Sequence, residues 1–151
     1  MSDVLEFRLD KFTFKVPTER LYSSEGLWAL EMDAKIRIGL SDYLQQHSGD
    51  IAFVDLQPSG KQVGAGELLF SIETIKVTLD LTTPLPGVIS RLNPAMELSP
   101  EKINSDPYGE GWVCELDPAD WEAARQNLLT PEVYFDKIQL DAAKELEEDA
   151  G

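Results

Sequence analysis

The sequence predicts a small, mainly β domain, a sandwich or barrel with a helical end. Three observations lead there. Short apolar alternations recur along most of the chain, Gly and Pro clusters punctuate them, and helix signals gather near the C-terminus. The length of 151 residues suits one domain. A chain of this size buries roughly 68–70% of its unfolded surface and needs no disulfide staples.

Phe7/Leu9 and Phe12/Phe14/Val16 alternate and Pro17 ends the second run, so residues 1–20 read as an N-terminal extension of strands or an extended arm. Trp28/Leu30/Met32 and Ile36/Ile38 continue the β pattern. Ser41 caps a short helix over about 41–47, and Gly49 ends it. Ile51-Ala52-Phe53-Val54 reads as a buried strand. Pro58-Ser59-Gly60 and Gly64-Ala65-Gly66 mark loops. Leu68, Phe70 and Ile72 share one strand face, as do Val77, Leu79 and Leu81. The two strands meet near Glu73-Thr74-Ile75-Lys76, about the length of a tight turn.

Pro84, Pro86 and Gly87 close the second of these strands, and Val88-Ile89-Ser90-Arg91-Leu92 begins another. The loop Asp106-Pro107-Tyr108-Gly109-Glu110-Gly111 precedes a last strand, Trp112-Val113-Cys114-Glu115-Leu116. Asp117, with Pro118 at the first helical position, starts one helix. Thr130-Pro131 repeats the device for a second, through about 147, with Phe135, Ile138, Ala142 and Leu146 on one face. The last residues read as a frayed acidic tail. The expected organisation is an extension at 1–20, a body at 21–118, C-terminal helices at 119–148 packed on that body, and a tail at 149–151.

Charge and composition exclude several functions. With 28 acids against 13 bases the net charge is −15, which leaves no basic footprint for nucleic acid. Charges at Asp3, Glu6, Arg8 and Asp10 interrupt the N-terminus, and no apolar run approaches a membrane span. The single cysteine, Cys114, fits a reducing compartment and a core position. The expected location is cytoplasmic, away from membranes. His47 is the one histidine and falls at a helix end, as a surface residue would. No nucleophile–base pair, metal-ligand spacing or phosphate-binding glycine motif is present, so no catalytic and no metal residues are assigned. A non-catalytic protein is expected.

Lys76 stands out against this background. The nearest bases, Lys61 and Arg91, are fifteen positions away on each side. A solubilising surface lysine is the plain interpretation. Yet Ile75 and Val77 place apolar side chains at a turn, where polar residues normally sit, and Glu73 and Asp80 supply acids nearby. A presented lysine with apolar flanks suits a site that another protein reads and modifies.

The stretch Gly66-Glu67-Leu68-Leu69-Phe70-Ser71-Ile72-Glu73-Thr74-Ile75-Lys76, followed by Pro84-Leu85-Pro86-Gly87-Val88-Ile89, resembles the lipoyl-lysine hairpin of glycine cleavage system H proteins. Three further stretches agree: Gly39-Leu40-Ser41-Asp42-Tyr43-Leu44-Gln45-Gln46, Gly49-Asp50-Ile51-Ala52-Phe53-Val54-Asp55-Leu56, and Asn104-Ser105-Asp106-Pro107-Tyr108-Gly109-Glu110-Gly111-Trp112. The resemblance runs from about Tyr22 to the C-terminal helices. It implies a barrel-sandwich hybrid of the lipoyl and biotinyl carrier kind, with a short internal helix and C-terminal helices. It also implies lipoate covalently attached to Lys76, with Glu73, Ile75, Val77 and Asp80 around it. Biotin carriers usually flank their lysine with methionines, so Ile75 and Val77 favour lipoate.

The family usually reads His-Glu before the tryptophan that Trp28 matches, and here Gly26-Leu27 stand there, after Glu25. In the family that Glu helps to hold the amino group of the methylamine-loaded arm, and leucine offers an amine nothing. Glu25, Gly26 and Leu27 are therefore expected at the arm cleft, with Glu25 or no acid serving the amine. This departure favours an H-protein-like carrier of sulfur oxidation, working beside a heterodisulfide-reductase-like complex. The alternative is an H protein carrying the aminomethyl group between glycine decarboxylase and aminomethyltransferase. Expected partners also include a lipoate ligase or lipoyl/octanoyl transferase, and dihydrolipoamide dehydrogenase. An interaction module with unmodified Lys76 and a self-sufficient enzyme stay open as the readings from other classes.

Overall fold

The computed structural model describes residues 3–150; Met1, Ser2 and Gly151, parts of the expected extension and tail, lie outside the described residues. The N-terminal alternations form an antiparallel hairpin of β1 (Val4–Leu9) and β2 (Phe12–Pro17), in register from Val4↔Pro17 to Leu9↔Phe12. Its two-residue turn calls for a positive φ, which Asp10 adopts at 58°. The hairpin is fastened to the body by hydroxyls. Tyr22 donates to the Pro17 carbonyl at 2.7 Å and Tyr108 to the Lys15 carbonyl at 2.6 Å. Phe7 packs edge-on against Phe135 and Phe14 against Tyr43.

In chain order there follow β3 (Leu21–Tyr22), β4 (Leu27–Met32), β5 (Lys35–Leu40), α1 (Asp42–Ser48), β6 (Ile51–Leu56), β7 (Gln62–Val63), β8 (Leu68–Thr74), β9 (Thr78–Thr82) and β10 (Gly87–Leu92). Then come α2 (Ala95–Leu98), α3 (Lys102–Ser105), β11 (Cys114–Pro118), α4 (Trp121–Ala124), a short 3₁₀ turn and α5 (Pro131–Ala150). One sheet has the order β3-β4-β5-β11-β10-β7 and another β6-β8-β9, with every pairing antiparallel. Between these sheets lies the main core, including Ile36, Ile38, Leu69, Phe70, Ile72, Ile89 and Leu116. This is the expected mainly β architecture with helices at the C-terminal end, except that α2 and α3 join the one short internal helix expected.

A second, aromatic core joins Val16, Tyr22, Trp28, Trp112, Tyr134 and Ile138 beneath α5. Both faces of β4 are covered at its start for this reason, and Leu27, Trp28 and Ala29 are buried in succession. Trp28 looks toward the aromatic core while Leu27 and Ala29 belong to the main one. Its ring lies on the backbone of Gly39, where an added Cβ would come within 2.5 Å of it.

Several elements differ from expectation, each for a tertiary reason. Ala52 and Phe53 are exposed, because β6 is an edge strand and its pairing with β8 slips between Ile51 and Phe53. A similar slip between Leu68 and Phe70 buries Leu69 and leaves Leu68 exposed. Asp117 and Pro118 extend β11, opposite Val88 and Gly87, and Asp120 caps α4 by accepting from the Ala123 amide at 3.1 Å. The helix expected to start at Pro118 therefore begins at Trp121. Thr130 does cap α5, accepting from the Val133 amide. That helix continues to Ala150, through part of what reads as a frayed tail. Its inward face is Tyr134, Ile138 and Ala142, with Leu146 left 43% exposed. Among the described residues, no helix is long and apolar enough to cross a membrane.

Cys114 occupies the core position expected for it. Burial, with the Glu115 charge adding to it, pushes its thiol up to about 12. Iodoacetamide at neutral pH is expected to spare Cys114 in the folded protein and to label it in denaturant. Labelling of the native protein at the rate of a free thiol would show that β11 opens readily.

Candidate functional site

The β8–β9 hairpin ends at Glu73↔Thr78, and Thr74 closes its turn. The Thr74 amide donates to the Val77 carbonyl at 2.9 Å. Its hydroxyl oxygen accepts from the amides of Lys76 at 3.2 Å and Val77 at 3.1 Å. A side chain thus takes two donors that an exposed turn would leave to water, which stiffens the tip. Ile75 at the apex is 97% exposed. Val77 belongs to the turn and is exposed, not on the buried strand face its parity suggests. Lys76 leans back toward the end of α1, its Cε 3.4 Å from where a Cβ on Gly49 would stand. Glu73 is exposed at the base of the turn.

Asp80 accepts from the Ser71 hydroxyl at 2.6 Å across the hairpin. Thr82 shares that face of β9, since strand residues two apart point the same way. One oxygen of Glu25 accepts from both the Thr82 amide, at 3.0 Å, and the Thr82 hydroxyl, at 2.6 Å. Glu25 and Asp80 are thereby brought to one surface from 55 positions apart in sequence, the difference of their numbers.

The turn before Trp28 explains how Glu25 arrives there. The Gly26 amide donates to the Ser23 carbonyl, and the Ser23 hydroxyl accepts from the Leu27 amide at 3.1 Å. Gly26 has φ 103°, a conformation other residues rarely adopt, and a Cβ there would stand 3.1 Å from Leu44 Cβ. Leu27 is fully buried in the main core and paired with Leu40. Of the three residues expected at the cleft, Glu25 and Gly26 line it and Leu27 does not.

That cleft, of about 500 Å³, lies between α5, β9 and the loop at 24–26. Its acids are Glu25, Asp80, Asp141, Glu145 and Glu148. Lys137 and Lys144 also line it, the first paired with Asp141 at 2.7 Å. His47 Nδ1 lies 2.8 Å from Glu145, and the Tyr43 hydroxyl donates to the same carboxylate at 3.2 Å. Carboxylates outnumber bases, and a low-dielectric wall focuses their field on whatever enters. The α5 acids are not among the residues singled out from sequence. Their spacing at 141, 145 and 148 marks one helix face, which was the available signal. His47 is half-exposed at the end of α1, as expected.

Comparisons with known proteins point to one family. The family model for the glycine cleavage H-protein matches residues 20–141. A glycine cleavage system H protein of Bacteroides thetaiotaomicron is 42% identical over 118 residues, 78% of this chain and 93% of the relative. A probable glycine cleavage system H protein 1 of Saccharolobus solfataricus is 39% identical over 127 residues, 83% of this chain and 93% of the relative. A glycine cleavage system H protein crystal structure from Mycobacterium marinum superposes with a TM-score of 0.75 at 30% identity, covering 82% of this chain and 99% of that one.

The fold and these relatives together describe a lipoyl carrier, a component of a multienzyme system. The chain belongs to the glycine cleavage H-protein family, whose members carry lipoate covalently on a lysine. The expectation that favoured sulfur oxidation with a heterodisulfide-reductase-like partner finds no support in these comparisons, and the glycine cleavage alternative fits them better. The hairpin β1–β2 precedes the matched residues.

The loop conformation can be checked directly. Gly26→Ala is expected to lower stability by about 1–3 kcal/mol through a strained φ, read as a lower denaturation midpoint. An unchanged midpoint would mean that the loop re-forms with a negative φ.

Proposed function

We propose that Lys76 is the lipoyl attachment point and that residues 21–148 act as one carrier body in glycine cleavage. The observation that carries this reading is a lone lysine on a hydrogen-bonded tip beside a groove in which acids predominate. The residues present fit the group. Ile75 at the apex leaves the tip open to a modifying enzyme, and Lys76 leans along the surface toward the space beside it. When attached, lipoate supplies a dithiolane that opens to a dithiol and can hold a group or an electron pair.

The chain's own residues then do the positioning. Thr74 holds the tip, so the swing of an arm begins from a fixed point. Ile75 and Val77 offer apolar contact to a lipoate ligase or lipoyl/octanoyl transferase, and Glu73 and Asp80 steer its basic surface. Glu25 and Asp80 place carboxylates where a cationic amine needs partners once water is excluded. Leu27 offers no such partner, and its place in the core makes Glu25 the acid of this loop. Anionic sulfur cargo would meet the same carboxylates unfavourably, which sets glycine cleavage ahead. Glycine decarboxylase, aminomethyltransferase and dihydrolipoamide dehydrogenase are the partners this reading requires.

The test has two parts. After co-expression with a lipoate ligase, peptide mass spectrometry is expected to find lipoate on Lys76 alone and none in Lys76→Arg. The lipoylated protein is then expected to support reconstituted glycine cleavage at a rate like that of an ordinary H protein. Modification elsewhere would overturn the site. Full lipoylation with no glycine cleavage would overturn the pathway and return sulfur chemistry to first place.

A further inference from the structure

The N-terminal hairpin lies outside the residues that the family model matches, and it builds the far wall of a second groove. This groove has a volume of about 370 Å³ and is lined on its apolar side by Leu9, Phe12, Phe14, Tyr43, Ala142 and Leu146. Lys76 lines it too and does not line the acidic groove. The two grooves share Tyr43, His47, Glu145 and Glu148, so the His47–Glu145 pair stands as a partition between them. Phe12 and Leu146, from opposite walls, are 44% and 43% exposed.

We propose that the β1–β2 hairpin gives the chain's own lipoyl arm a second seat, in which the oxidised, uncharged dithiolane rests against Phe12, Phe14 and Leu146. The proposal rests on Lys76 being the lipoylated residue. A group tethered at a residue that lines the groove meets it at an effective concentration of about millimolar, so weak contacts suffice to populate the seat. The lining suits the ring: aliphatic side chains take its methylenes, and aromatic edges make favourable contacts with divalent sulfur. Asp10, Glu145 and Glu148, which also line it, favour a neutral occupant over an anionic one. The wall is firm. The Gln46 amide donates to the Thr13 carbonyl at 2.9 Å, and the Lys15 amide donates to Asp42 at 3.0 Å. An arm carrying a cation finds the Glu25 and Asp80 carboxylates only across the His47–Glu145 pair, in the other groove, so the partition separates a resting position from a loaded one.

The experiment compares three forms of the full chain by methyl NMR: unmodified, acetylated at Lys76, and lipoylated at Lys76 in the oxidised state. Intact and peptide masses establish each modification first. The acetylated form removes the lysine charge without adding an arm, so the difference between lipoyl and acetyl forms reports the arm alone. Methyl resonances of Leu9, Ala142 and Leu146 are expected to differ between those two forms. The differences should collapse in Phe12→Ser and again in Leu146→Ser, and persist in Leu98→Ser, whose side chain lines neither groove. Differences confined to Leu79, Leu81 and Ile138 of the acidic groove, or none at all, would overturn the second seat while leaving the lipoyl site intact. Failure of Lys76 to accept lipoate would instead overturn the carrier site itself, a result read from the mass alone.

Discussion

The hydroxyl–hydroxyl bond between Tyr134 and Ser41, 2.6 Å long and fully buried, holds α5 on the β sandwich. Ser41 also caps α1 through the Leu44 amide, so one side chain ties both helices to the same point. Tyr134 stacks flat on Tyr22, with centroids 4.5 Å apart. Burial raises the Tyr134 phenol above its ordinary range, which keeps it protonated and able to donate. The net contribution of one such bond is about 0.5–1.5 kcal/mol, and leaving a buried partner unmet costs about 1–3 kcal/mol. Both grooves beside Lys76 are walled by α1 and α5, so their shape depends on this junction.

With the helices fixed, the site follows from two local devices. Thr74 makes the hairpin tip stiff enough to present a lysine at a defined place. The left-handed Gly26 turns the preceding loop so that Glu25 reaches Thr82 and joins Asp80. The residue before Trp28 is a buried leucine, and Glu25, two positions earlier in the loop, is the one that brings a carboxylate to the groove.

Much of this was legible in the sequence. Lys76 announced itself because it has no basic neighbours and sits between two apolar residues at a turn. The strands announced themselves through alternation and Gly/Pro punctuation. Other features depend on contacts that no short window contains. Leu27 and Trp28 are both buried because β4 separates two cores, which a one-faced strand pattern does not describe. Phe53 faces outward because of a bulge in an edge strand. Pro118 extends a ladder opposite Gly87 when its local signal is that of a helix start. Glu25 is the most instructive case, since its placement depends on one glycine φ and on Thr82, 57 positions away.

In the proposed glycine cleavage role, the carboxylates of Glu25 and Asp80 shelter a cationic cargo on the arm. The direct measurement is the rate at which the methylamine-loaded, lipoylated protein loses ammonia and formaldehyde when aminomethyltransferase is withheld. Glu25→Gln with Asp80→Asn removes both charges while keeping oxygen acceptors for Thr82 and Ser71. A charged hydrogen bond contributes roughly 1.5–3 kcal/mol, so release from the double variant is expected to be about ten- to 150-fold faster than from the wild type. Equal release rates from the two proteins would contradict a carboxylate-held cargo and with it the reading of this groove.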